Sequence, residues 1–550
     1  MLYLLCREIY TEIKEKIQKM FSRKKQVDIS PVLTEKKSIF LERILFFLSF
    51  SVPFLLLLFL RMKCVALQGG EPGTDSFYHA AMALGGKEVY AAEKFPFLAF
   101  SLWKETFADK ELFYHILLQG LFALQSLFKS DPFPFTMPAM VFAGAGIAGF
   151  SVLLKSLKIP GKIIFPSSIL FSCGVFAFTY RFLMLRPHVF SIALLLFSCA
   201  LFSVKNFSWR LAGFFLASFL YAYSYSNPHF LFLIILPYTF FLRKEYDWKK
   251  LLLLPLCVFA GLLLAYTFHP QSPNIFAIWK VQSIDALLNP VFYGGKLTPR
   301  LTPMEMMPGN FAWFRNALPF YILFYLCIFL FIRIREKTCS PAFTAGEKSI
   351  FFLSVFFTAG TLAVLRAIEY ALPFTAAAFA ILFSRSQKEK IGFFAWKMPS
   401  VRVYALLYLL AAVFLFINIS LMLKSNFRNT VPRGPAEFLK NNTPENSLVV
   451  NLDWGDFPAM FYANRHNHFL WGMDPAFSYA VSPGKARKLE NCVINSIKKE
   501  DVDKEIRFLT GADYAFVLSR REKFIRYLKD RNWKIVYESE EGCIFSLKKP

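Results

Sequence analysis

Two short motifs put carboxylates beside imidazoles: Asp75-Ser-Phe-Tyr78-His79 and Asp109-Lys-Glu111-Leu-Phe-Tyr114-His115. If Asp75 opens a helix, Tyr78 and His79 fall on its face at i+3 and i+4, and Glu111 and His115 stand in the same relation. A carboxylate so placed can take a proton as a general base. Alternatively, its hard oxygens can hold Mg²⁺ or Mn²⁺. Both motifs lie in one polar stretch, Gly69 to His115, between hydrophobic segments. Ionisable groups beside apolar spans are costly to desolvate, so they need a reason to be there. The bland alternative is a solvated connecting loop.

Arginine suits a phosphate, because its planar fork donates two parallel hydrogen bonds. Arg366-Ala-Ile-Glu369-Tyr370 ends one apolar segment and opens the next, and Arg186-Pro187-His188 breaks another. The competing reading of Arg366 is an ion pair with Glu369, and of Pro187 a plain helix boundary. A long Pro-, Gly- and Asn-rich loop, 269–316, carries Thr302-Pro-Met-Glu305 and Tyr293-Gly294-Gly295-Lys296. Loops of that length are usually functional or disordered.

These groups need a scaffold, and composition names its class. Of 550 residues, 55% are hydrophobic and 67 are phenylalanine, with a mean hydropathy of +0.41. The apolar residues come in runs of roughly 15–22, long enough to cross a bilayer, which makes the chain a polytopic α-helical membrane protein with about 11–13 spans. The net charge of +25 does not point to nucleic acid. Its excess lies in short loops between spans, where basic residues set orientation and meet lipid headgroups. Residues 1–43 form a basic cytoplasmic arm without the apolar core of a cleavable signal peptide. Spans fill 44–427, with outer loops at 61–112 and 269–316. Loop charges put all seven histidines (79, 115, 188, 229, 269, 466 and 468) on the outer side. One segment, 113–128, conflicts with that orientation as a full crossing and fits a half-helix in the interface.

Residues 428–550 alternate strand and helix patterns, the mark of a small α/β layer, here extracytoplasmic. Strands are expected at 447–452, 468–472, 514–518, 533–538 and 543–547, and helices at 458–464, 485–508 and 522–531. Trp454 and Asp456 follow the first strand, where side chains commonly face a ligand crevice, and are candidates for binding an acceptor. The competing reading makes Asp456 a helix cap. The nine cysteines show no zinc spacing. Cys492 and Cys543 can pair if that side is oxidising.

In layout the chain resembles the GT-C glycosyltransferases, which move a sugar from a polyprenyl phosphate or pyrophosphate. The likeness rests on Asp75-x-x-Tyr78-His79, Asp109-x-Glu111 and the long later outer loop. Thr302–Glu305 resembles the Thr-x-x-Glu element of oligosaccharyltransferase catalytic subunits. Two features depart from that subfamily. The second acidic motif lies in the first outer loop, and Trp454-Gly-Asp-Phe-Pro458 stands where those enzymes carry Trp-Trp-Asp-Tyr-Gly. The resemblance implies an integral membrane glycosyltransferase with a polyprenyl-linked donor and a glycan, lipid or protein acceptor, working at the outer face. Asp75, Asp109, Glu111 and Glu305 are its candidate catalytic residues and possible Mg or Mn ligands. Arg366, Arg186, His188, Tyr78 and His79 are candidates for the donor phosphate. The alternative is a transporter or flippase of lipid-linked glycans, which would place ionisable groups near the bilayer midplane.

Overall fold

The computed structural model describes residues 31–64, 70–127, 135–285, 288, 304–337, 343–389, 400–425, 429–495 and 501–548. Tyr293–Lys296, Thr302 and most of the basic arm lie outside these. In chain order the helices of the apolar region are α1 (Pro31–Cys64), α2 (Asp75–Gly85), α3 (Leu112–Ser126), α4 (Thr136–Ser156), α5 (Gly161–Cys173), α6 (Phe176–Phe182), α7 (Pro187–Ala200), α8 (Phe207–Ser224), α9 (Phe230–Phe241), α10 (Trp248–Thr267), α11 (Phe311–Lys337), α12 (Ala345–Ala363), α13 (Ile368–Lys388) and α14 (Ser400–Lys424).

Among the described residues six helices are long and apolar enough to cross a membrane, or seven if the bent pair α5–α6 is one span. This is an integral membrane protein, with fewer full-length crossings than the apolar runs suggest. Segments α3, α7 and α9 are apolar but only 15, 14 and 12 residues long. At about 1.5 Å per residue they fall short of a ~30 Å hydrocarbon core.

One break delivers the site. The axes of α5 and α6 differ by 80°, and Gly174 lies between them. Backbone groups freed inside an apolar bundle must find new partners. Here the Thr179 hydroxyl donates to the Ser172 carbonyl at 3.0 Å, and Asn418 of α14 donates to the Cys173 carbonyl at 2.6 Å and to Thr179 at 3.0 Å. The turn therefore holds, and α6 carries Arg181 near its end. Pro187 then starts α7, its fixed φ suiting the first helical turn, so Arg186 sits at the helix boundary. Packing elsewhere is close. A Cβ on Gly261 would lie 2.5 Å from the Phe215 carbonyl oxygen, so α8 and α10 touch backbone to backbone.

The tail forms α15 (Arg433–Asn442), β1 (Leu448–Asn451), α16 (Phe457–Ala463), β2 (His468–Phe469), α17 (Ala476–Val481), α18 (Pro483–Asn495), α19 (Val502–Thr510), β3 (Tyr514–Leu518), α20 (Glu522–Asp530), β4 (Lys534–Glu538) and β5 (Gly542–Ser546). The sheet order is β2-β1-β3-β5-β4. The β1–β2 and β1–β3 pairs are parallel, and β3–β5 and β4–β5 antiparallel. The helix expected over 485–508 is instead two, α18 and α19. The bridge between Cys492 and Cys543 is not formed, since Cys543 keeps a free thiol. It sits buried on β5, where a small apolar side chain suits the core.

Strand residues alternate faces, and both faces are used. Val449, Phe516 and Ile544 join the same core as the membrane helices, whereas Val450, Val517 and Phe545 pack with Leu489, Ile506 and Leu528 of the covering helices. The first face rests on the Gly69–His115 stretch. The Phe469 amide donates to the Phe97 carbonyl, and the Ala99 and Phe100 amides donate to Phe469 and Leu470, each at 2.8 Å. Phe95 stacks against Phe461 with ring centroids 5.2 Å apart. The tail domain thus locks the segment that carries both acidic motifs.

Candidate functional site

Four chain breaks meet at one end of the bundle. Asp75 opens α2, Arg181 and Arg186 flank the α6–α7 turn, and Arg366 and Glu369 span the start of α13. Glu305 lies on a single 3₁₀ turn, Met304–Met306, tied to the α12–α13 junction by a 3.1 Å bond from the Leu365 amide to the Met307 carbonyl.

Their charges interlock. Arg186 Nη2 lies 2.7 Å from Asp75 Oδ2, while its Nη1 lies 3.6 Å from Glu305 Oε2. The same Glu305 oxygen receives Arg181 Nη1 at 2.8 Å, and Glu305 Oε1 receives Arg366 Nη1 at 3.1 Å. Behind them the fully buried Glu369 takes Arg181 in a close pair and Arg366 Nε at 3.4 Å. Arg366 also donates to the Tyr225 hydroxyl at 3.2 Å. Burial alone would raise the Glu305 pKa, but Arg181, Arg186 and Arg366 outweigh it and hold the carboxyl well below its ordinary range. Asp75 and Glu305 keep 27% and 23% of their side-chain surface open, and Arg366 keeps 24%. They form the rim that an incoming molecule meets.

Beside this cluster lies a buried relay. Asp109 Oδ2 is 2.6 Å from His115 Nδ1, and His115 Nε2 is 2.9 Å from His79 Nδ1. Asp109 is cradled by its own backbone partners. Its amide donates to Gln271 Oε1 at 2.8 Å, and His269 Nε2 contacts its carbonyl at 3.2 Å. An ionised Asp109 requires a proton on His115 Nδ1. With His115 neutral, His79 then donates through Nδ1 and keeps a lone pair on Nε2, an assignment made from the network itself. Burial, with His115 and Arg186 nearby, pushes the His79 pKa well below normal, which favours that neutral form. His79 stands one helical turn from Asp75.

The structure joins Asp75, Arg186, Glu305 and Arg366 into one cluster and ties His188 to its inner wall. His188 Nε2 contacts the Arg181 carbonyl at 3.1 Å and lies 3.8 Å from Glu369. Tyr78 is buried, its ring against those of His79 and Trp103. Asp109 and Glu111 fall elsewhere, in the relay and beside Lys110 at 3.8 Å. Burial raises the Glu111 pKa, as befits a carboxyl without a strong partner.

A Mg²⁺ or Mn²⁺ ion on Asp75, Asp109, Glu111 and Glu305 therefore does not fit these residues. Among the described residues no three His, Cys, Asp or Glu side chains are grouped to hold an ion. Asp75 and Glu305 share one guanidinium, that of Arg186.

Asp456 is also corrected. It is fully buried, its Oδ2 accepting from the Leu518 amide at 3.1 Å and its Oδ1 pairing with Arg520 at 2.9 Å. It makes no side-chain cap to α16, while Asp453 caps the preceding 3₁₀ turn, Trp454–Asp456, by accepting from the Gly455 amide at 2.7 Å. Trp454 packs at the edge of the tail domain's own core. With both Asp456 oxygens engaged inside the domain, Asp456→Ala should destabilise the protein by about 1–3 kcal/mol, the cost of leaving the buried Leu518 amide without its acceptor. Unfolding transitions with and without the substitution check this, and an unchanged transition would refute it.

Arg181 escaped the sequence reading because it sits inside an apolar run, Phe176–Leu185, and only the break at Gly174 turns it inward. The buried pair Arg61–Glu71 was hidden the same way, at the end of the first span. Both show a charge within an apolar run, which was the available signal.

No family model matches the sequence, and no curated protein matches it. Solved structures do match in fold. The apo oligosaccharyltransferase of Archaeoglobus fulgidus superposes with a TM-score of 0.61 at 12% identity, over 91% of this chain and 74% of that one. The same organism's AglB in complex with an inhibitory peptide and a dolichol-phosphate gives 0.60 at 14%, over 90% and 74%. Apo ArnT from Cupriavidus metallidurans gives 0.50 at 12%, over 94% and 98%. At these identities the likeness concerns the fold. It is the fold anticipated from the GT-C resemblance, a helical membrane domain followed by a small sheet domain.

Proposed function

We propose that this chain is a glycosyltransferase that moves a sugar from a polyprenyl-linked phosphate to an acceptor at the outer face of the membrane. The observation that carries the reading is the rim itself, where Asp75 and Glu305 face Arg186 and Arg366 at the N-terminal end of α13. Lys388 and Arg385 sit at the other end of α13, and Lys337 and Arg335 at the end of α11. A basic end marks the cytoplasmic side, so the rim faces outward. One of the matching structures holds a dolichol-phosphate, which supports a phosphate-bearing lipid as the ligand class.

In the proposed reaction the acceptor attacks the anomeric carbon as the bond from that carbon to the phosphate oxygen breaks. Asp75 takes the acceptor's proton. Its Oδ2 is held by Arg186, and its side chain is 27% exposed, which leaves the carboxylate within reach of the incoming group. His79, a turn along α2, stays neutral, and its link through His115 to Asp109 fixes the helix that presents Asp75. The negative charge gathering on the leaving phosphate meets Arg366 and Arg186, donors positioned before the reaction starts.

Incubating the reconstituted protein with labelled polyprenyl-phosphate sugars, and following water-soluble and lipid products, tests the reading. Movement of intact lipid-linked sugar across the bilayer without transfer would establish the transporter instead. Arg366→Lys keeps the charge but loses the two-pronged donor, so the donor Kd should weaken about tenfold or more while the protein folds normally. Unchanged donor affinity would leave Arg366 as no more than the partner of Glu305 and Glu369.

A further inference from the structure

The carboxylates that look like metal ligands in the sequence are already neutralised by the protein. Asp75 and Glu305 approach one another only through Arg186, at 2.7 Å and 3.6 Å. Glu305 also holds Arg181 and Arg366, at 2.8 Å and 3.1 Å. Three guanidiniums thus face three carboxylates, Asp75, Glu305 and Glu369. A divalent ion seated between Asp75 and Glu305 would displace Arg186 and push a second cation against Arg181 and Arg366. Among the described residues the remaining acidic groups are not gathered with enough other ligands to hold it. Asp109 is committed to His115 at 2.6 Å, and Glu111 lies with Lys110 beside the relay.

Arg186 is built to stay where it is. Pro187 begins α7 directly after it, and α7 packs along α4 so tightly that a Cβ on Gly149 would lie 3.1 Å from the Ala193 carbonyl oxygen. The Arg186 side chain is 13% exposed, which suits an arginine more than a hydrated lysine, since guanidinium is the more weakly hydrated cation. A cation between two carboxylates and next to an incoming phosphate serves the role a divalent metal often fills. It screens the acids, orients them, and stabilises charge on the leaving oxygen.

We infer that this site handles its phosphate without a divalent cation, and that Arg186 fills the position between Asp75 and Glu305 where such an ion would sit. The inference rests on the proposed ligand class, a phosphate-bearing lipid, but its first test does not.

Mn²⁺ binding to the full-length protein in detergent, read by electron paramagnetic resonance, gives that test. Wild-type protein should show no bound Mn²⁺ that depends on Asp75. Arg186→Gln removes the charge between the acids and should bind Mn²⁺ at least about tenfold more tightly, and adding Asp75→Asn should abolish the gain. Asp75-dependent Mn²⁺ in the wild type overturns the inference, and absence of any gain in a folded Arg186→Gln protein overturns the assignment to Arg186. The second measurement is thermal stabilisation by farnesyl phosphate in EDTA and in Mn²⁺, since a ligand that binds only the folded form raises stability. Equal stabilisation in both supports the inference, and stabilisation confined to Mn²⁺ overturns it. Stabilisation in neither refutes the lipid-phosphate reading of the site, while the Mn²⁺ experiment still decides the role of Arg186.

Discussion

Asp75→Asn is expected to lower transfer at least about 100-fold while leaving the protein folded, the loss that follows removal of a general base. The amide keeps the carboxylate's shape, and its oxygen can still accept from Arg186, so the start of α2 should hold. What disappears is the charge and the basicity of a carboxylate that is 27% exposed beside that ion pair. Donor binding should change little, because the phosphate is assigned to Arg366 and Arg186. The effect should therefore fall on kcat rather than on the donor KM. Wild-type turnover at wild-type protein level would remove Asp75 from the chemistry. A loss confined to donor KM would recast it as a residue that merely holds Arg186 in place.

How much of this was legible in the sequence differs between the scaffold and the site. The strands of the tail domain were largely readable because short runs such as Tyr514–Leu518 carry their own period and are bounded by turn residues, whereas α15 and α17 were not anticipated. The apolar runs announced a membrane protein but not their geometry. Gly174 looks like any glycine in an apolar stretch, yet the chain turns 80° there, stabilised by Asn418, which lies 244 residues downstream (418 − 174). Such pairings are long-range and leave no local trace. Asp75, Arg186, Glu305 and Arg366 were readable as a set because charges beside apolar runs are costly and rarely idle. Their mutual arrangement was not. Asp109-x-Glu111 looks like a metal motif when read as a string, but His115, six residues on, takes Asp109 as a hydrogen-bond partner instead. Arg186 between the two acids was equally invisible, since ion pairing of Asp75 with a residue 111 positions away (186 − 75) depends on how α2 meets α7.

Glu369→Ala should be the most destabilising change in the site, by about 3–5 kcal/mol in equilibrium unfolding from mixed micelles, because breaking a buried pair strands its partner. Glu369 is fully buried and binds two arginines, with Arg181 11% exposed behind it. Removing it leaves Arg181 to rely on Glu305 alone, inside a wall where water cannot replace the lost carboxylate. Glu305→Ala removes three arginine contacts from the rim against two for Glu369, but there the carboxylate is 23% exposed and Arg366 24% exposed, so solvent reaches the gap. Its cost should be closer to the ~1 kcal/mol of a solvent-exposed pair. The two substitutions thus separate support from function. Glu369→Gln, which keeps an acceptor for Arg181 but no charge, should fall between Glu369→Ala and wild type in stability. Glu305→Ala should spare the fold yet loosen Arg366 and Arg186, and so raise the donor KM. If Glu369→Ala unfolds within about 1 kcal/mol of wild type, the inner pair is not what organises the arginines. Their alignment would then come from the helix ends themselves, from Pro187 behind Arg186 and from the turn that begins α13.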